Sequence, residues 1–211
     1  MANLIFDYDG TLHDSIKIYK PAFEKAHEYL ISKGLSTQRV YSESEISKWL
    51  GFTAKEMWNL FAPNLSQSEK DICSKMIGDE MVRLTYERKA VLYPMAEDVL
   101  LRLKNEGHTL IFLSNCKEKY MQAHKDVFQL ERYFSEFYCS EDFKFIPKYE
   151  IFNQIKDDFD GEFIVIGDRH KDIEIATRHN LKSFGCLYGY GNKDELANAT
   201  YKINSIDELY V

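Results

Sequence analysis

The sequence predicts an α/β protein: a doubly wound, Rossmann-like parallel sheet with an inserted all-helical domain. Three observations predict it. First, Leu4 to Phe6, Thr109 to Leu113 and Phe163 to Ile166 are short runs that are apolar on consecutive positions. Continuous rather than alternating runs fit strands buried on both faces. Second, helical patterns lie between these runs, in the order that parallel crossover units require. Third, residues 15 to 90 break the alternation with helix signals and no convincing strand.

The elements follow in order. Leu4 to Phe6 is the first strand. Ile16, Tyr19, Phe23, Ala26 and Leu30 step by three and four, an amphipathic helical stripe. Pro21 interrupts it and predicts a kink or a restart. Ser42 with Glu45, Thr53 with Glu56 and Ser66 with Glu69 have the spacing of capping boxes, each opening a helix. Pro94 precedes a helix over Met95 to Glu106, which Gly107 stops. Thr109 to Leu113 is the second strong strand, and Phe137 to Cys139 a weaker one. A helix over Lys148 to Lys156 follows Pro147. Phe163 to Ile166 is the third strong strand. A helix over Arg169 to His179 ends at Asn180, a residue suited to a left-handed helix end. Phe184 to Tyr188 is a weaker strand. The division is then a core of residues 1–14 and 91–211, with a helical cap at 15–90.

Composition narrows the function. Of 211 residues, 45% are hydrophobic and 29% charged, which excludes a disordered chain. The net charge of −7 argues against nucleic acid as a main partner. Apolar runs of about five residues fall far short of the ~20 that span a bilayer. The first residues lack the basic region of a secretion signal. Cys73, Cys116, Cys139 and Cys186 are scattered with no C-x-x-C pair, which predicts reduced thiols in a cytoplasmic protein. The six histidines show no metal-ligand spacing and read mostly as surface residues. A monomer is the default expectation.

The chemistry lies where the strong strands end. The first ends in Asp7-Tyr8-Asp9-Gly10-Thr11, the second in Ser114-Asn115, the third in Gly167-Asp168 with Asp172 a helical turn later. Ligands of open α/β sheets bind outside the carboxyl ends of the strands. Carboxylates gathered there repel one another unless a cation sits among them, and hard oxygen ligands point to Mg²⁺. Asp7 is placed to attack phosphorus as an ionised carboxylate, forming an aspartyl-phosphate. Asp9, two residues on, is placed to protonate the leaving oxygen and then to deprotonate water. Gly10 permits a tight turn whose amides, with Thr11, can receive a phosphate oxygen. Ser114 and Asn115 can hydrogen-bond the phosphoryl group, and a lysine completes its charge neutralisation.

These motifs carry a resemblance. Asp7-Tyr8-Asp9-Gly10-Thr11-Leu12, Leu113-Ser114-Asn115, and Ile166-Gly167-Asp168 through Asp172-Ile173 resemble the first, second and fourth motifs of the haloacid-dehalogenase-like hydrolase superfamily. The helical insertion is similar to the cap of its phosphoglycolate-phosphatase-like branch. Tyr93-Pro94 and Gly189-Tyr190-Gly191 add to the likeness. The resemblance implies a nucleophile at Asp7, an acid/base at Asp9, and Mg²⁺ held by Asp7, the Asp9 main-chain carbonyl and Asp168, with Asp172 in support. The acid at Asp9 is what separates the superfamily's phosphatases from its dehalogenases. The third motif departs from the usual pattern. Lys148, at a helix start, fits the family's lysine better than Lys144. The implied activity is hydrolysis of a small phosphomonoester, a small phosphorylated metabolite. A phosphomutase on the same scaffold is the nearest alternative, and a phospho-receiver or a non-catalytic binding protein are more distant ones.

Structural roles compete at several positions. Asp7 and Asp9 can serve as turn residues, Ser114-Asn115 as a helix cap, and Asp172 as an acid at a helix N-terminus. Trp49, Phe52 and Trp58 read as cap core. The Gly51-Phe52-Thr53 turn is the expected loop that reaches the site, His13 is a weak candidate to line its cap side, and Lys55 reads as solvated.

Overall fold

The computed structural model describes Met1–Val211. Strand β1 (Asn3–Phe6) pairs in parallel with β2 (Thr109–Ser114) on one side and β4 (Phe163–Gly167) on the other, aligning Ile5 with Ile111 and Val165. Strands β3 (Glu136–Cys139), β5 (Lys182–Cys186) and β6 (Tyr201–Ile203) complete a six-stranded sheet in the order β3-β2-β1-β4-β5-β6. The chain reverses its direction of travel between β1 and β4. The carboxyl ends of β2, β1 and β4 therefore flank one crevice, the usual ligand position of such sheets.

Both sheet faces are covered, which explains the unbroken apolar runs. Leu4, Phe6, Leu110, Phe112, Ile164 and Ile166 belong to one core, shared with Val99, Leu100 and Leu103 of α5 (Ala96–Asn105). Ile5, Ile111, Leu113 and Val165 point to the other face. There they meet Ile151, Phe152 and Ile155 of α7 (Lys148–Ile155) and Ile175 and Ala176 of α8 (His170–His179).

Residues 15–90 hold α1 (Ile16–Ser32), α2 (Glu43–Ser47), α3 (Ala54–Phe61) and α4 (Gln67–Tyr86), with no strand. All five stripe residues of α1 are buried. The helix does not restart at Pro21: it continues through this exposed position, where only one backbone hydrogen bond is forgone. Ser42–Glu45 and Thr53–Glu56 form reciprocal capping boxes. Ser66 accepts from the Glu69 amide, but the Glu69 carboxylate accepts from Tyr29 Oη instead, so the third box is half made. The two connections between insertion and sheet run side by side, with Asp14 N donating to Val91 O at 2.9 Å and Tyr93 N to Leu12 O at 2.8 Å.

Other expectations shift. Strand β5 starts at Lys182 and ends at Cys186, two residues ahead of the expected range. Strand β6 and helix α6 (Glu118–Phe128) are additions to the expected elements. The histidines are not mostly surface residues: His13 and His124 are fully buried and His27 nearly so. His124 bridges Tyr8 Oη (2.7 Å) and Thr85 Oγ1 (3.2 Å), whereas His13 has partners at Nδ1 and none at its buried Nε2.

Candidate active site

Strand ends deliver the acids. Asp7 follows the last residue of β1, and Asp168 follows the last residue of β4. Oxygens of Asp7, Asp168 and Asp172 lie within 4.8 Å of one another, and all three residues are buried. Their close approach depends on glycines. A Cβ on Gly10 would stand 2.3 Å from Asp168 Oδ2, and one on Gly189 would stand 2.3 Å from Asp168 Cβ. Gly10 also has φ +86°, so the turn after Asp9 needs glycine twice over.

Lys148, the first residue of α7, is buried and places Nζ 2.6 Å from Asp7 Oδ1 and 2.7 Å from Asp172 Oδ1. Lys144 lines the cavity but makes no ion pair. Asp172 Oδ2 accepts from the Arg169 amide at 3.0 Å, so this acid is engaged on both sides. Asp168 Oδ2 accepts from the Tyr190 amide at 2.6 Å, and Oδ1 from the Thr11 hydroxyl at 3.4 Å.

Electrostatics separates the two motif-one acids. Burial, then the Asp172 charge, pushes the Asp7 carboxyl up to about 7 despite Lys148. Burial, then the Asp7 and Asp172 charges, hold Asp168 well above the carboxylate range. Lys148 is raised, because the charges and hydrogen bonds of Asp172 and Asp7 outweigh its burial. Asp9 goes the other way. Burial alone would raise it, but hydrogen bonds from His13, Ser15 and Tyr120 hold it at about 2. Those donors reach Asp9 Oδ1 at 3.1, 2.6 and 2.6 Å respectively.

A cavity of about 1300 Å³ lies between sheet and insertion. Asp7, Asp9, Ser114, Asn115, Lys148 and Asp172 line it. Gly10, Thr11 and Asp168 do not, and Thr11 and Asp168 are fully buried. Ser114-Asn115 does not cap α6, whose N-terminal flank is Lys117. Instead Ser140 bonds to Ser114 O at 3.1 Å and Asn115 Oδ1 at 3.0 Å, and Asn115 Nδ2 donates to Gly51 O at 3.3 Å. The Gly51-Phe52-Thr53 turn therefore meets the core beside the site. Trp58 is buried, whereas Trp49 and Phe52 are half-buried; all three line the cavity, as does Lys55. Burial raises the thiols of all four cysteines, and Cys116, beside the site, is raised well above its usual range. None is a poised nucleophile.

Asp7 and Asp168 bring their carboxylates into one cluster with Asp172, while the Asp9 carboxylate lies outside it, held by His13, Ser15 and Tyr120. The donor set fits a hard divalent cation. Three buried carboxylates face one buried ammonium, and oxygen is the ligand such ions prefer.

Several residues escaped the sequence reading. Tyr120 and Ser15 hold Asp9 from α6 and from the first connection, and no spacing signal joins them. Arg169 was legible by position, since it lies between Asp168 and Asp172.

The chain is similar to known proteins along its whole length. It is 26% identical to a phosphoglycolate phosphatase of Aliivibrio fischeri, covering 99% of this chain and 93% of that one. It is 27% identical to a phosphoglycolate phosphatase of Vibrio cholerae, covering 93% and 88%. A crystal structure of a predicted phosphatase from Clostridium acetobutylicum superposes with a TM-score of 0.83 at 25% identity, over 98% of this chain and 95% of that one. The family pattern described as haloacid dehalogenase-like hydrolase matches residues 4–186, from β1 through β5 with every acid of the site. The chain therefore belongs to the haloacid dehalogenase-like hydrolase family.

Proposed function

We propose that this protein is a Mg²⁺-dependent phosphatase that hydrolyses a small phosphomonoester through an aspartyl-phosphate on Asp7. One observation carries the reading: Asp7 and Asp9 face the same cavity, with Lys148 on the first and three hydrogen-bond donors on the second. Environments that drive two nearby acids apart mark a division of catalytic labour.

Asp7 supplies the attacking oxygen. Lys148 offsets charge on Asp7 and on the transferring phosphoryl group. Ser114 and Asn115 orient that group from the end of β2. Asp9 is ionised at rest. The arriving phosphate dianion raises its proton affinity, so it takes up a proton from solvent water and delivers that proton to the leaving oxygen. It then receives a proton from the water that attacks the acyl phosphate. Mg²⁺ bound by Asp7, Asp168 and the Asp9 main-chain carbonyl would neutralise negative charge shared by the acids and the phosphate, with Asp172 in support. Gly10 and Thr11 shape the turn that holds these groups together.

We assign residues 15–90 to a cap and residues 1–14 with 91–211 to the core. The cap walls the cavity and limits it to small phosphorylated metabolites. The relatives named phosphoglycolate phosphatase support that substrate size. The direct test is hydrolysis of p-nitrophenyl phosphate. Turnover with Mg²⁺ that stops on chelation supports the reading; turnover undiminished in Asp7→Asn overturns it.

A further inference from the structure

Arg169 is pinned at both ends of the cleft. Its amide donates to Asp172 Oδ2 at 3.0 Å, which fixes its backbone to the acid cluster. Its side chain, 6% exposed, runs the other way into the insertion. There Nη1 donates to Leu50 O and reaches Lys48 O at 3.5 Å, and the guanidinium lies 4.9 Å from the centre of the Phe52 ring. Glu195 of the core accepts from Nε at 2.9 Å and orients the fork.

Neighbouring contacts converge on the same turn. Lys171 Nζ donates to Glu56 Oε2 at 2.6 Å and sits 5.3 Å from the Phe52 ring centre. Gly51, at φ +84°, lies so close that a Cβ there would stand 3.0 Å from Arg169 Cγ. A guanidinium can satisfy two carbonyls, one carboxylate and an aromatic face together, which a lysine cannot.

Resting on the phosphatase reading above, we propose that Arg169 is a positioning residue. It latches the cap turn 48–53 over the site, so that the β4-to-α8 junction carrying Asp168 and Asp172 and the wall carrying Trp49 and Phe52 close as one unit. Because the latch grips the carbonyls of Lys48 and Leu50, it does not depend on the side chains of those two residues. Its function is to keep bulk solvent from the phosphorylated Asp7 and leave a single, placed water.

Hydrogen exchange across residues 48–56 tests the latch in the full chain. Arg169→Met should speed exchange there at least tenfold and leave the middle of α4 unchanged. Lys171→Met, which keeps the stem on Phe52 but loses Glu56, should speed it at least threefold. It carries the test if Arg169→Met does not fold. Exchange at the wild-type rate in whichever variants fold overturns the proposal. A second readout separates positioning from mere folding. With p-nitrophenyl phosphate and glycerol, a loosened cap lets the alcohol hydroxyl replace water, taking the phosphoryl group and giving up its proton. The fraction of phosphoryl groups passed to glycerol should at least double in Lys171→Met at an unchanged melting temperature. An unchanged fraction would remove the role in excluding solvent. Exchange reads the cap whether or not the chain hydrolyses phosphate, so failure of the phosphatase reading is a separate result.

Discussion

Lys148 Nζ lies 2.6 Å from Asp7 Oδ1, although the two residues are 141 positions apart in the chain. The contact joins the end of β1 to the start of α7, and it is buried on both sides. It also joins Asp172, so one ammonium serves two carboxylates. Removing one partner of a buried ion pair leaves an uncompensated charge, at a cost of about 3–5 kcal/mol. Lys148→Met should therefore lower both turnover and stability. Added Mg²⁺ should restore more stability to this variant than it adds to the wild type. Urea denaturation with and without Mg²⁺ checks this, and equal gains in the two proteins would count against charge compensation.

Metal and proton compete at Asp7. The folded carboxyl, at about 7, binds its proton more tightly than the unfolded one at 3.8. Between those values the folded state holds the extra proton, so metal-free stability falls as pH rises through this window. Mg²⁺ should expel that proton. Calorimetry in buffers of different ionisation enthalpy should show more protons released per Mg²⁺ bound near pH 5.5 than near pH 8, the difference being about the one proton that Asp7 carries at the lower pH.

Asp9 contributes with the opposite sign. Its folded value of about 2 lies below the unfolded 3.8, so its contribution is present above pH 4 and lost as pH falls toward 2. Tyr120→Phe removes one of its three donors. A hydrogen bond to a charged group is worth about 1.5–3 kcal/mol, so the acid limb of kcat/KM should move up by about one to two pH units. A pH–rate profile superimposable on the wild type would show that Tyr120 does not tune Asp9.

Gly10 has no room for a side chain. Gly10→Ala would place a methyl against Asp168 Oδ2 in a left-handed backbone. It should lose about 2 kcal/mol or more of stability and weaken Mg²⁺ binding at least tenfold. Wild-type values in thermal melts and metal titration would contradict the packing described.

What the sequence disclosed follows from which forces are local. β1, β2 and β4 were legible because both faces of each are covered, which leaves an unbroken apolar signature. Asp7, Asp9, Ser114 and Asp168 were legible because each stands at the end of such a run. Helix α6 was not read, although Tyr120, Met121, Ala123 and His124 give it one buried face. The support for Asp9 was hidden because Tyr120 joins His13 and Ser15 there only through tertiary packing. Arg169 lay within a recognised motif, but its reach to Leu50 O depends on where the insertion folds back.

The covalent step on Asp7 is the claim on which the mechanism stands. Rapid acid quench of Asp9→Asn during turnover of p-nitrophenyl phosphate, followed by peptide mass spectrometry, measures it directly. The account predicts that the peptide containing Asp7 gains one phosphoryl group, in near-stoichiometric yield, because the water-activating base is gone. A peptide that stays unmodified while nitrophenol is still released, or a phosphoryl group on any other residue, would contradict it.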